Sequence, residues 1–337
     1  MSDPCPPVFP RDLDWARLFD PKVVAVIGAS DTAGTQGRGQ WIFLRDRLEP
    51  RGIRVVPVNP RTPTVVGATT VPSIADVPDP DIAVVMVRDV VPTLEQCRAA
   101  GVRWAVVFSA GFSELGTAEG AQAEHAVREL AGPDFHIVGP NTNSNIFEPW
   151  RRDLPGRRMA IVTQSGFQGR PISQGEALGI PIESWATLGN EADLEWADFV
   201  AHYAGRPEVA VIATYVEGFV DGRTMMRAAD VAAQAKVPIV IVKIGRSALG
   251  AQMATAHTGH IAGPDAVHDA VFRQCGIFRV DDINELVEIG GMFCHLPAAA
   301  RRADRPGDGV AIYALSGGTA SHLVDLCGLA DLPVPRL

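Results

Sequence analysis

Ten short runs of Val, Ile and Ala, apolar almost from end to end, alternate along this chain with stretches of helical composition. Five lie in the first part (VVAVIG from Val23, then IRVVPVN, IAVVMV, WAVVFS and HIVG), and five in the second (MAIVTQSG, PIESWATLG, VAVIATYVEG, VPIVIVKIG and GIFRV). A strand without polar alternation is buried on both faces, and strands separated by helices run parallel, so the pattern predicts doubly wound α/β sheets. The Pro- and Arg-rich segment EPWRRDLPGRR, Glu148 to Arg158, has no periodicity and reads as a linker. A first domain is therefore expected over 1–147 and a second, of flavodoxin-like size, over 159–296, the latter closing on the helix INELVEIGGMF. After another linker, Pro297 to Gly309, the segment GVAIYALSGGTASHLVDLCGL predicts a strand, a turn and a helix. One βα unit cannot cover both faces of a sheet, so 309–337 is expected to be the start of a third, truncated α/β domain.

Parallel sheets bind ligands at the carboxyl ends of their strands, which directs attention to the loops there. Gly28-Ala29-Ser30 follows the first strand, with Gly34, Gly37 and Gly39 in the turn before WIFLRDRL; the loop can admit a diphosphate although it does not match GxGxxG. NAD-binding domains end the second strand on Asp or Glu, whereas here Val58 is followed by Asn59-Pro60-Arg61. A cation in that place favours a ribose carrying a phosphate, as in NADP or coenzyme A. Ser109 to Glu114 and Gly139 to Asn143 occupy further strand ends suited to a ligand tail. In the second half, Thr163-Gln164-Ser165-Gly166 predicts a strand ending in a small-residue turn that opens a helix, a source of free N–H donors for an anion. The loop KIGRSALGAQMATAHTGHIAG holds His257 between Ala256 and Thr258-Gly259, where an imidazole can reach a phosphate. His260 is a second candidate in the same loop, and His268 falls on the predicted helix DAVHDAVF as a packed or capping residue.

Composition removes several function classes. With 47% apolar and 20% charged residues over 337 positions, the chain can bury two cores, and disorder is excluded for most of its length. No apolar run approaches the roughly 20 residues a membrane-spanning helix needs, and MSDPCPPVFPRDLDW lacks the basic-then-apolar order of a signal peptide, so a cytoplasmic protein is expected. A net charge of −9 argues against a nucleic-acid surface. The cysteines at 5, 97, 275, 294 and 327 are odd in number and form no CxxC pair, which predicts reduced thiols and no metal site.

Taken in order, VIGAS, VNPR, SAGFSE, VGPN, TQSG, GNEADLEWADF, YVEG, VKIGRS, AHTGHIAG and DAVFRQCGIFRVDDINEL resemble the alpha subunit, or alpha half, of nucleoside-diphosphate-forming acyl-CoA synthetases. That superfamily includes succinyl-CoA synthetase and the ADP-forming acetyl-CoA synthetases, and the likeness runs from about Val23 to Leu296. It implies a Rossmann-like CoA-binding domain followed by a flavodoxin-like domain with a phosphorylated histidine. By the same resemblance His257 is the nucleophile, Glu217 the carboxylate that orients it, and Ser165 and Gly166 the cradle for the phosphoryl group. Gly28, Ser30, Asn59 and Arg61 fall at the CoA diphosphate and adenosine-phosphate contacts, and Asn141 near the thiol end. The implied partners are a small carboxylic acid or its CoA thioester and an ATP-grasp subunit or domain that supplies ATP or ADP and magnesium, within an oligomer. Two departures stand out: Thr142-Asn143-Ser144-Asn145 replaces the usual Cys or Thr, any residue, then Gly, and Phe167-Gln168-Gly169-Arg170 is bulkier than the usual run. A CoA-binding regulatory or scaffold protein and an NADP-dependent oxidoreductase are the competing functions.

Overall fold

The computed structural model describes residues 9–247, 249–250, 263–296 and 309–335. They form two compact units, Met1–His295 and Leu296–Leu337. The larger unit holds both expected sheets, each with five parallel strands.

In the first sheet the strands are β1 (Val23–Ile27), β2 (Arg54–Val58), β5 (Ile82–Val85), β6 (Trp104–Val107) and β7 (His136–Val138), in the spatial order β2-β1-β5-β6-β7. A two-residue hairpin, β3 (Thr64–Val65) and β4 (Ala68–Thr69), branches off after β2. The second sheet contains β8 (Arg158–Thr163), β9 (Ile182–Thr187), β10 (Val209–Val216), β11 (Ile239–Lys243) and β12 (Phe278–Val280), ordered β12-β11-β10-β8-β9. Counted within each sheet the two orders are the same, 2-1-3-4-5. The strand order therefore reverses between β1 and β5 in one sheet and between β8 and β10 in the other, and the helices on either side of each reversal leave a crevice at the carboxyl edge.

The ten strands of the two sheets coincide with the ten apolar runs because nearly all are covered on both sides; β5, β6, β9 and β10 are buried at every residue, while the edge strand β12 leaves Phe278 exposed. The two sheets share apolar packing, since Trp104, Val106 and Val138 of the first join Ala186 of β9 and, in the segment after it, Leu188, Leu194 and Trp196 in one cluster. A helix too short to leave a periodic signal, Trp15–Phe19, adds to it: the Trp15 ring lies 5.6 Å from Trp104, 5.0 Å from Phe199 and 4.4 Å from His202. Arg11 completes this junction with an ion pair to Asp193 at 2.8 Å, while the other oxygen of Asp193 accepts from the Ile137 N–H at 2.9 Å.

In the smaller unit the expected helix forms at Gly317–Leu329, but residues 309–316 carry no strand ladder. A lone β-prone run has no edge to pair with among the described residues of this unit, and Tyr313 and Leu315 are almost fully exposed. No helix among the described residues is long and apolar enough to cross a membrane.

Candidate functional site

At the first crevice the chain leaves β1 through Gly28, whose φ of 92° belongs to glycine. A Cβ there would lie 2.8 Å from the Met86 carbonyl oxygen, and one on Gly37 would lie 2.4 Å from the Gly28 carbonyl oxygen. The loop is thus pressed between the end of β5 and the helix Gln36–Leu48, with no room for a side chain at Gly28 or Gly37. Thr35 caps that helix by accepting from the Arg38 N–H, and the Ser30 hydroxyl accepts from the Thr32 N–H at 3.1 Å. Asn59 stitches two strand ends together: its Nδ2 donates to the Ala29 carbonyl at 2.7 Å and its Oδ1 accepts from the Arg61 N–H at 2.8 Å. The Arg61 side chain is exposed beside them. Arg38, which the sequence reading passed over, brings a second guanidinium to this loop, donating to the Asp31 carbonyl at 2.8 Å.

The remaining strand-end loops of the first domain meet the second domain. Asn141, with φ of 58°, donates through Nδ2 to Asn190 Oδ1 at 3.3 Å, and Asn190 Nδ2 donates to Glu114 at 2.6 Å and to Glu124 at 2.8 Å. Burial acts to raise the Glu114 carboxyl, but hydrogen bonds from Gly111, Asn190 and Phe112 outweigh it and hold the group below its ordinary range. Asn190 is therefore the tie between loops 109–114 and 139–143 and the segment after β9.

At the second crevice Gln164 to Gly166 leave β8 directly beside Glu217 and Gly218, which leave β10. Glu217 is 4% exposed. Its peptide is held by the Gln164 side chain, whose Oε1 accepts from the N–H groups of Glu217 at 2.6 Å and Gly218 at 3.1 Å. From the other side, Val216 pairs with Lys243 in the ladder. Lys243 is itself buried and donates from Nζ to the Ile244 carbonyl at 2.6 Å. Burial and the Arg279 guanidinium push the Lys243 ammonium below its usual range, opposed by the charges of Asp265 and Glu217, so a buried cation lies within electrostatic reach of the Glu217 carboxylate.

The Ser165–Gly166 turn differs from expectation. The helix after it begins at Gly169, spans five residues to Ser173 and tightens into a 3-10 turn over Gln174–Leu178. Two features delay its start: Phe167 swings into solvent, and Gly169 lies so close under the Trp185 indole that a Cβ would fall 2.2 Å from the ring. Anion donors here are accordingly the N–H groups of a turn, with little help from a helix dipole. The Ser165 hydroxyl is half-buried and accepts weakly from the Gln168 N–H at 3.5 Å. Asn143, next to Ser144 where the family pattern has glycine, covers Gly166, since a Cβ on that glycine would lie 2.3 Å from the Asn143 amide nitrogen. Loops of the two domains thus meet over the turn.

His257 and His260 fall in 251–262, outside the described residues. His268 is on the helix Asp265–Gln274 as expected, with its ring 6.2 Å from Phe272 and 6.3 Å from Phe219, and burial lowers its pKa. Among the described residues no group of three or more His, Cys, Asp or Glu is placed to hold a metal ion. Besides Arg38, the site residues that sequence reasoning missed are Gln164, Asn190, Glu191 and Lys243. All four stand inside motifs quoted above, TQSG, GNEADLEWADF and VKIGRS, but their position in the motif gives no sign of what their side chains reach.

Comparison with known proteins now gives this geometry a family. Residues 22–144 match a family described as a CoA binding domain, and residues 155–293 match the succinyl-CoA ligase like flavodoxin domain. The alpha subunit of acetate–CoA ligase (ADP-forming) I from Pyrococcus furiosus is 32% identical over 91% of this chain and 68% of its own length. Acetate–CoA ligase (ADP-forming) I from Archaeoglobus fulgidus is 34% identical over 94% of this chain but 46% of its own length; the chain spans about half the length of several curated relatives it matches. Among solved structures, a dinucleotide forming acetyl-coenzyme A synthetase from Ca. Korarchaeum cryptofilum superposes with a TM-score of 0.77 at 28% identity, covering 96% of this chain and 70% of that one. A CoA-binding domain joined to a succinyl-CoA ligase like flavodoxin domain, with relatives of this kind, places the chain in the family of ADP-forming acyl-CoA synthetases, in the lineage of their alpha subunits.

Proposed function

We propose that this chain is the alpha component of a nucleoside-diphosphate-forming acyl-CoA synthetase, which interconverts acyl-CoA, ADP or GDP and phosphate with acid, CoA and ATP or GTP. The observation that supports the reading most directly is the buried Glu217 beside the Ser165–Gly166 turn at the second crevice, in a chain whose relatives are named ADP-forming acid–CoA ligases. In this scheme phosphate attacks the thioester carbonyl and the CoA thiolate leaves, giving an acyl phosphate. An unprotonated ring nitrogen of His257 then attacks phosphorus and the carboxylate leaves. Glu217 accepts a hydrogen bond from the other ring nitrogen, which fixes the tautomer and stabilises the cationic ring after attack. N–H groups of the Ser165–Gly166 turn receive the phosphoryl oxygens. Transfer to the nucleoside diphosphate regenerates the imidazole and occurs on an ATP-grasp partner subunit or domain, which also holds magnesium.

CoA is assigned to the first crevice, with its diphosphate along Gly28 and Ser30, its adenosine phosphate near Asn59 and Arg61, and its thiol end toward Asn141. The acid is a small carboxylic acid, the working assembly an oligomer, and the place of action the cytoplasm, where CoA thioesters and nucleotides are supplied. Incubation with the partner, magnesium and ATP should give acid-labile, base-stable phosphorylation that His257→Ala abolishes and Glu217→Gln slows by at least about 10-fold. Label persisting at His260 in the His257→Ala variant would overturn the relay. The chain without an ATP-grasp partner should not turn over acyl-CoA.

A further inference from the structure

Beyond its last ladder contact with β8, the chain leaving β10 is held by a side chain. Backbone pairing between β8 and β10 ends at Thr163 and Tyr215, with the Gln164 N–H donating to the Tyr215 carbonyl at 3.2 Å. The Gln164 amide then continues the pattern, and all four of its hydrogen-bonding positions are engaged. Oε1 accepts from the Glu217 and Gly218 N–H groups, while Nε2 donates to the Gly218 carbonyl at 2.7 Å and to Glu191 Oε2 at 2.6 Å. The other Glu191 oxygen accepts from the Trp196 N–H at 2.6 Å. Glu191 adopts a φ of 58°, uncommon for a residue with a side chain, and follows Asn190, the tie to the first domain.

We propose that Gln164, anchored by Glu191, is the positioning residue for Glu217: it fixes the Glu217–Gly218 peptide, and through it the carboxylate, relative to the Ser165–Gly166 turn. This rests on the proposed role of Glu217 in orienting the phosphorylated histidine. Strand ends are where a parallel sheet loses its ladder, so a carboxylate placed one residue past a strand would wander without a substitute for those bonds. Gln164 provides the substitute and is rigid because its own amide has no free position. Burial, aided by the nearby charge of Glu195, pushes Glu191 up to about 8, so near neutral pH the anchor is an uncharged acid and sets no second negative charge beside Glu217.

A reciprocal exchange distinguishes positioning from general stability. In Glu191→Gln an amide N–H₂ must face the N–H of either Gln164 or Trp196, which breaks one contact; in the double variant Gln164→Glu/Glu191→Gln the buried acid at 164 carries the proton that Glu191 carries in the wild type, donates it to the Gly218 carbonyl, accepts from 191 and still accepts from the Glu217 and Gly218 N–H groups. With the ATP-grasp partner, magnesium and labelled ATP, the rate of phosphohistidine formation should fall at least about 10-fold in Gln164→Met and in Glu191→Gln, while CoA affinity stays within about twofold. The double variant should recover most of the rate lost by Glu191→Gln. If Gln164→Met does not fold, the comparison of Glu191→Gln with the double variant decides alone. Wild-type rate in Gln164→Met, or a double variant no faster than Glu191→Gln, overturns the proposal. Absence of histidine label in the wild type overturns the functional reading itself, and this proposal with it.

Discussion

Gly189→Ala probes the seam where the two domains meet. Gly189 has a φ of 64°, and a Cβ on it would lie 2.1 Å from the Pro140 carbonyl oxygen and 2.8 Å from the Asn141 carbonyl carbon. Carbon and oxygen pack at roughly 3.4 Å, so the two loops must part by about 1 Å. That movement weakens the bonds from the Asn190 N–H to Pro140 at 2.9 Å, from the Ala192 N–H to Gly139 at 2.9 Å, and from Asn141 to Asn190 at 3.3 Å. At about 1 kcal/mol for each bond and about 1 kcal/mol for the left-handed backbone, the expected cost is about 4 kcal/mol. Gly179→Ala is the control, because Gly179 has a φ of 89° with open space around its Cβ direction, leaving only the backbone cost of about 1 kcal/mol. Calorimetric melting should therefore fall by about 8 °C or more in Gly189→Ala and by about 2 °C in Gly179→Ala. Equal shifts in the two variants would refute the claim that loops 139–141 and 187–191 are locked by that contact.

Three further outcomes follow from the same geometry. Arg61→Glu should weaken CoA binding about 10-fold by calorimetry while leaving dephospho-CoA less affected, because an exposed guanidinium beside Asn59 is assigned to the adenosine phosphate; equal losses for both ligands would remove that role. Glu191 has its folded pKa raised from 4.5 to about 8, so the stability it contributes is complete below pH 4.5 and is lost as pH rises through 8, on the order of 3 kcal/mol between pH 5 and pH 8. Glu191→Gln should thus be less stable than wild type in urea at pH 5 and close the gap by pH 8.5, and a gap that does not change with pH would contradict it. His202, its ring stacked 4.4 Å from Trp15 and 5.0 Å from Phe19, is pushed down from 6.5 to about 3 by burial and the Arg206 charge. Its stabilisation is complete above pH 6.5 and is lost as pH falls through 3, about 1–2 kcal/mol by pH 5, so His202→Phe should flatten the acid limb of thermal melts between pH 7.5 and 4.5.

The ten strands were legible because a strand covered by helices on both faces has no solvent side to encode, so Val, Ile and Ala run without interruption. The same logic misleads at GVAIYAL, where an apolar run exists but no neighbouring edge among the described residues of its unit completes the ladder. The turn at Ser165 was legible as a strand end, but the start of the following helix was not, because it depends on the fit of Gly169 under Trp185, sixteen positions away in the chain. Gln164 shows the limit most clearly. A glutamine at a strand end predicts nothing by itself, and its hydrogen bonds reach residues 27, 53 and 54 positions distant.

Placement of the site follows from strand order more than from any one motif. Both sheets reverse order between their first and third strands, which leaves Gly28 against Met86 in one and Gln164 against Glu217 in the other at corresponding carboxyl edges. Between the two edges, loops of both domains meet at Asn141 with Asn190 and at Asn143 over Gly166. The residue that departs from the family pattern is Ser144, a polar group where glycine is usual, whereas Asn143 occupies the neighbouring position that the pattern leaves open, and the fold sets Asn143 against the glycine of the turn assigned to the phosphoryl group. In the proposed reaction an acyl phosphate passing from one edge to the other must accommodate the Asn143 amide, which has its Oδ1 already committed to the Asn145 N–H at 3.1 Å and offers Nδ2 toward the turn.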